Sequence, residues 1–121
     1  MLPRWRWTAR VALLTSGVLA VSYTLLVVLC WGQGEGSMSS LAGVQMLLAS
    51  DWITLYAWIH YLAFDLWVGA WEVRDARRLG LHHGLVVPCL VLTLMLGPCG
   101  LLLYLTIRGA VKRRVWLAST R

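Results

Sequence analysis

Residues 58–69 read WIHYLAFDLWVG, an apolar stretch with His60 and Asp65 set inside what must be a membrane-spanning helix. A central Asp costs roughly 2.5 to 3.5 kcal/mol on insertion scales, so an ionisable group at that depth is read as functional and given a partner. The rest of the chain agrees with a bilayer setting. Of its 121 residues 60% are hydrophobic and the mean hydropathy is +0.71, against roughly 45 to 50% apolar residues in soluble domains. The fold class expected is all-α integral membrane, one membrane domain over residues 1–121 with three transmembrane helices and a short interfacial helix. The spans read as about 10–31, 52–71 and 84–107, each long enough to cross. Residues 39–50, SSLAGVQMLLAS, are apolar on one side and too short to span, which predicts the interfacial helix. Residues 33–40, rich in Gly and Ser, form the connecting loop. The basic start of the chain imitates a secretory signal, but the apolar run is too long and no Ala-x-Ala-like site follows, so the first span is retained.

Charge placement sets orientation. Arg4, Arg6 and Arg10 flank the first span, residues 32–51 hold no basic side chain, and Arg74, Arg77 and Arg78 fill the next connection, which predicts a cytoplasmic N-terminus. Three spans then carry Arg108, Lys112, Arg113, Arg114 and Arg121 to the far side, against the rule. Two arrangements resolve the conflict. Gly97-Pro98 turns the third segment back as a re-entrant hairpin, at the expense of exposing half-length segments to lipid, or the basic tail docks on an acidic partner. The net charge of +6 otherwise implies affinity for anionic lipid headgroups, and nothing points to nucleic acid.

Several classes of chemistry are missing. Cys30, Cys89 and Cys99 all fall in spans without C-x-x-C spacing, so neither a disulfide framework nor a metal site is indicated. His82 and His83 are adjacent and point different ways on a helix, away from any shared metal. There is no phosphate loop, nucleophile elbow, zinc helix motif or internal repeat.

At 100° per residue Trp52, Tyr56, His60, Phe64, Trp67 and Trp71 share an arc of about 120°, a continuous aromatic face with His60 at its middle. Thr54, Trp58, Tyr61, Asp65 and Glu72 lie on a second arc near Gly69, leaving His60 and Asp65 about 140° apart and serving different neighbours. The aromatic face reads either as packing against another helix or as a surface for a long flat polyene. Trp5, Trp7, Trp31, Trp52 and Trp71 also suit interfacial belts. Depth matching offers Asp65 the hydroxyls of Thr15 or Ser16, with Cys89 and Thr93 level on the third span; protonation through desolvation is the other route. Ala12, Ser16 and Ala20 form a small-residue stripe for close helix approach. His60 lies level with Pro98, whose missing N–H would free the carbonyl of Leu94 to accept from the imidazole. Ligand contact or proton transfer is the second role open to His60. Axial ligation of a chlorophyll-type magnesium is the weakest, because Tyr56 occupies the position one turn before, where a small residue is usual.

WIHYLAFDLWVGAWEVRDA and HHGLVVPCLVLTLMLGPCGLLLYL resemble the membrane-protein family whose plant member is the abscisic-acid-deficiency protein implicated in neoxanthin synthesis. The motifs are W-[IV]-H-x-L-x-x-D-L and P-C-L-x-x-T-x-x-x-G-P-x-G, matched by Trp58, His60, Asp65, Pro88, Cys89, Thr93, Gly97, Pro98 and Gly100. The likeness extends upstream through SLAGVQMLLASDWITLYA. It implies a membrane protein of carotenoid metabolism, with an epoxycarotenoid-to-allene isomerase as one activity, and a member shortened at its N-terminus.

The function expected first is a small non-catalytic accessory subunit of a larger pigment-bearing complex, a photosynthetic reaction centre or light-harvesting assembly, contacting carotenoid through Trp52, Tyr56, His60, Phe64, Trp67 and Trp71. Its partners would be other integral membrane proteins, the bilayer and pigment, with carotenoid as cofactor and bacteriochlorophyll contact left open. The alternative is a carotenoid-modifying enzyme with His60 and Asp65 as proton acceptor and donor. A transporter or assembly factor comes third, since three helices without an inverted repeat make a poor transport path. With no Ser-rich transit segment, the membrane expected is a bacterial inner or intracytoplasmic photosynthetic one, crossed several times.

Overall fold

The computed structural model describes the backbone of residues 3–119 and the side chains of residues 7–119. The side chains of Arg4, Trp5 and Arg6, and the whole of Arg121, used above for charge and belt arguments, lie outside the described residues. The described chain is helical throughout, with no strand: α1 (Pro3–Leu29), α2 (Leu41–Leu48), α3 (Asp51–Arg78), α4 (His83–Leu96) and α5 (Pro98–Ser119). Among the described residues one helix is long and apolar enough to cross a bilayer, the stretch Trp7–Leu29 of α1. Its 23 residues rise about 35 Å, more than the roughly 30 Å of a hydrocarbon core.

Each helix end has a local cause. Ser40 caps α2 by accepting from the Gly43 N–H at 3.1 Å. Asp51 sits in the first turn of α3 and Arg77 and Arg78 in its last, each complementing the helix dipole. Arg74, Arg77 and Arg78 therefore belong to the helix and not to a connecting loop, because α3 runs beyond the apolar stretch 52–71. The helix stops at Gly80, whose φ of +64° closes a Schellman turn with Leu81 N–H donating to Ala76 O at 2.9 Å. His82 caps α4, its Nδ1 accepting from Gly84 N–H at 3.1 Å.

The segment expected as one helix over 84–107 is two. Gly97, with φ +44° and ψ −95°, ends α4 and Pro98 opens α5, where its lost N–H costs nothing and its fixed φ suits a first turn. The chain then doubles back. A Cβ on Gly100 would stand 2.0 Å from the backbone nitrogen of Thr93, so only glycine allows this approach. Farther along, Tyr104 is buried with Cys89, Val86 and Ala76 in one core, with Ile107 and Leu81 packed on it. In a straight helix Cys89 and Tyr104 would stand about 22 Å apart. The hairpin arrangement of Gly97-Pro98, and not the continuous third helix, is the one observed.

By compactness the chain divides into two units. One joins Met1–Leu13 to Asp65–Arg121 and contains the α4–α5 hairpin. The other, Leu14–Phe64, contains most of α1, α2 and the first half of α3.

Candidate functional site

In the unit 14–64, the face of α3 that carries His60 meets Tyr23 of α1. Tyr23 is T-shaped to His60 at 5.2 Å and to Tyr56 at 5.8 Å, and Phe64 stacks on His60 at 4.9 Å. Such ring pairs contribute about 0.5 to 1.5 kcal/mol each beyond their burial. The rings do not fill the space. Tyr23, Tyr56, Ala57 and His60 form one wall of a cavity of about 600 Å³, open on one side and lined also by Leu47 of α2, by Ile53 at the start of α3 and by residues of the loop before α2. That volume falls within the roughly 300 to 1,000 Å³ of small-molecule sites. The wall is apolar but for the two phenols and the imidazole, and His60 is the cavity's one ionisable side chain besides the tyrosines and Cys30.

The aromatic face expected on α3 is thus split. Tyr56 and His60 line the cavity, Phe64 stacks on His60 from an exposed position, and Trp52 and Trp67 are exposed. Trp71 belongs to the other unit, T-shaped to Tyr104 at 5.7 Å with the Arg108 guanidinium 5.8 Å from its ring centre. Trp58 is exposed and tilted against Tyr61 at 5.8 Å.

In the hairpin unit the polar side chains are matched to one another. Glu72 is fully buried, and the Thr93 hydroxyl donates to its carboxyl oxygens at 3.0 and 3.2 Å. One turn on, Asp75 accepts from Tyr104 Oη at 2.8 Å and from both Nε and Nη2 of Arg108. The Arg108 hydrogen bond, above all, holds the Asp75 carboxyl below its ordinary value against the opposing effect of burial. Asp75 in turn keeps Arg108 charged more firmly than usual.

Asp65 faces the tip of this hairpin: a Cβ on Gly97 would meet its Oδ1 at 3.3 Å. α5 begins there, and the positive end of a helix favours a carboxylate. Asp65 also lines a second cavity, of about 390 Å³, together with Thr8, Gly69 and His83. The hydroxyls proposed for it are placed otherwise. Thr15 is exposed, and Ser16 Oγ is buried without a hydrogen-bond partner among the described residues. Thr93, the level candidate on the third span, is taken by Glu72. Pro98 starts a helix instead of interrupting one, so the Leu94 carbonyl expected to accept from His60 lies in the last turn of α4.

The sequence motif P-C-L-x-x-T-x-x-x-G-P-x-G therefore describes the hairpin. Cys89, Thr93 and Gly97 succeed one another at four-residue intervals along α4, Gly100 packs on Thr93, and Pro88 sits inside α4. Two residues that matter here, Glu72 and Asp75, were not singled out as site residues from the sequence. The signal for Glu72 was its place seven residues, two turns, after Asp65 on the same arc. That for Asp75 was the Tyr104 and Arg108 pair at helical spacing, which becomes a partner only once the third segment folds back. Among the described residues no group of His, Cys, Asp and Glu could hold a metal ion.

The described residues thus form an all-helical protein with one apolar helix of bilayer length, a motif-encoded helical hairpin and a cavity of small-molecule size. Residues 1–104 match the model of the ABA4-like (ABA DEFICIENT 4-like) family, and the chain belongs to that family, which makes it a carotenoid-related membrane protein. No curated protein and no solved structure matches the chain.

Proposed function

We propose that this protein binds a carotenoid in the cavity beside His60 and serves, without catalysis, as an accessory subunit of a pigment-bearing membrane complex. The observation that carries the reading is the cavity of about 600 Å³ walled by Tyr23, Tyr56, Ala57 and His60. Rings present large apolar contact at small entropic cost, which suits one end of a flat polyene. The imidazole and phenol edges suit a hydroxyl or keto group on that end. Support for a host complex comes from α1. Val11, Leu14, Val18, Val21, Leu25 and Val28 are all exposed, and their alternating steps of three and four are the spacing by which one helix seams against another.

The membrane arrangement follows from the same reading. α1 crosses, α3 crosses through its stretch 52–71, and the α4–α5 hairpin enters and leaves on the side of the α3 C-terminus. The 14 residues of α4 rise only about 21 Å, short of the roughly 30 Å core. Because Arg108 returns to Asp75, the basic segments 74–78 and 108–114 lie at one end of the hairpin unit, on the cytoplasmic side with the N-terminus. Cysteine labelling at positions near each terminus in sealed inner-membrane vesicles is expected to give one sidedness for both. Opposite sidedness contradicts the hairpin topology.

A second reading is favoured by one specific feature, the presence of Asp65 and His83 on a common cavity. A carboxyl and an imidazole there have the types needed to protonate an epoxide oxygen as its C–O bond breaks and to remove a proton from the polyene carbon, an isomerisation with no change of composition. Purified protein incubated with violaxanthin decides between the two. Retention of pigment without product supports the binding subunit; an allenic product lost in Asp65→Asn supports the enzyme.

A further inference from the structure

The family match ends at residue 104, and the stretch that follows carries the densest positive charge in the chain: Arg108, Lys112, Arg113 and Arg114. Its position is fixed by the pair between Arg108 and Asp75, which sets this part of α5 level with the last turns of α3. There Arg74, Arg77 and Arg78 already stand. Measured along the axes, Arg78 lies about 4.5 Å beyond Asp75, and Lys112 to Arg114 about 6 to 9 Å beyond Arg108. The cations of two helices thus occupy one thin slab.

Acids are scarce beside them. Asp75 is the last carboxylate side chain in the sequence, and Arg108 with Tyr104 occupies it. Arg74, Arg78, Lys112, Arg113 and Arg114 are exposed. Directly after them come Val115 and Trp116, exposed by 63% and 65%, and Leu117 by 48%. A basic run followed by Trp and aliphatic side chains next to a membrane segment suits the headgroup layer, where amphipathic rings settle and basic side chains meet phosphates. A purely acidic protein face would satisfy the charges and leave Val115, Trp116 and Leu117 unexplained.

We propose that the ends of α3 and α5 form a binding surface for anionic lipid headgroups, with Lys112, Arg113 and Arg114 holding lipid phosphates and Trp116, just beyond them, in the headgroup layer. Arginine forks take phosphate oxygens in pairs, and basic residues beside a membrane segment attract acidic lipids. The inference rests on the membrane arrangement given above, but not on the pigment.

The test uses the full chain in bilayers of phosphatidylcholine with one-fifth phosphatidylglycerol. Lipid retained after brief detergent extraction is measured by mass analysis, in low salt and in 0.5 M NaCl. The expected result is phosphatidylglycerol enriched severalfold over its share in the bilayer. The enrichment should fall to that share in Lys112→Gln/Arg113→Gln/Arg114→Gln, and for the unaltered chain in high salt, which screens exposed charges. Unchanged enrichment in the triple variant, or no enrichment in the unaltered chain, overturns the proposal; binding of an acidic protein in place of lipid would leave the second of these results. A triple variant that does not accumulate leaves the salt arm to decide. A chain that does not enter the bilayer at all contradicts the membrane arrangement itself, which separates that failure from this one.

Discussion

The unit around His60 and the unit around Glu72 spend their polar side chains in opposite ways. In the hairpin unit every acid of α3 beyond Phe64 meets protein: Asp65 at Gly97, Glu72 with Thr93, Asp75 with Tyr104 and Arg108. In the other, His60, Tyr23 and Tyr56 lean on one another and leave a cavity between themselves and α2. Packing with matched polar groups fixes a conformation, whereas rings that border empty space are available to a ligand. The difference teaches that Asp65 and His60 have separate surroundings, Asp65 against the hairpin tip and His60 at the edge of a cavity.

The contrast breaks most visibly at Gly100. Replacement by Val puts side-chain carbon onto the Thr93 backbone, which cannot move without opening the hairpin, and should destabilise the protein by about 3 kcal/mol or more. Thermal unfolding in detergent checks it. Next comes Glu72: its truncation to Ala leaves the buried Thr93 hydroxyl unpartnered beside a void, at about 2 to 4 kcal/mol. Glu72→Gln retains an acceptor and should stay within about 1 kcal/mol in the same experiment.

A smaller effect is expected at Asp75, where loss of the charge in Asp75→Asn weakens the contacts of Arg108 and Tyr104 by about 1 to 2 kcal/mol. The sign with pH is definite. The carboxyl is lowered from an ordinary 3.8 when folded, so its stabilisation is complete above that value and drains away as pH falls through the lower folded one. Melting temperature followed from pH 6 down to 3 should therefore fall more steeply for the unaltered chain than for Asp75→Asn. The smallest change in stability should come from His60→Leu, about 1 kcal/mol, because the ring is exposed and a Leu side chain replaces its two ring contacts with apolar ones. The same substitution should weaken carotenoid retention, and that divergence sharpens the contrast between the units.

Much of this was legible in the residues. Apolar run lengths located α1, α2 and the first half of α3, and the break at Gly97-Pro98 was visible as one way to reconcile the basic tail with charge placement. What favoured a straight third helix was the cost of half-length segments in lipid; Gly100 removes much of it by letting α5 pack on α4. The aromatic periodicity found the cavity wall at Tyr56 and His60 but also gathered Trp71, because periodicity along one helix is blind to a change of neighbour midway. Partners for Asp65 were sought at matching depth on α1, and depth alone misses a helix start arriving from the hairpin tip. Glu72 has no legible partner in the sequence because Thr93 is a short hydroxyl with no charge pattern to announce it.

The account stands on the cavity beside His60 being the carotenoid site. Ala57 lines that cavity beside Tyr56 and His60, and Ala57→Trp fills it without introducing a charge. Titration of a carotenoid into the full chain, followed by its absorption shift, should show saturable binding by the unaltered protein and at least about tenfold weaker binding by the filled variant, with the melting temperature of the apo form little changed. Equal binding by both, in a variant that still melts cooperatively, would contradict it.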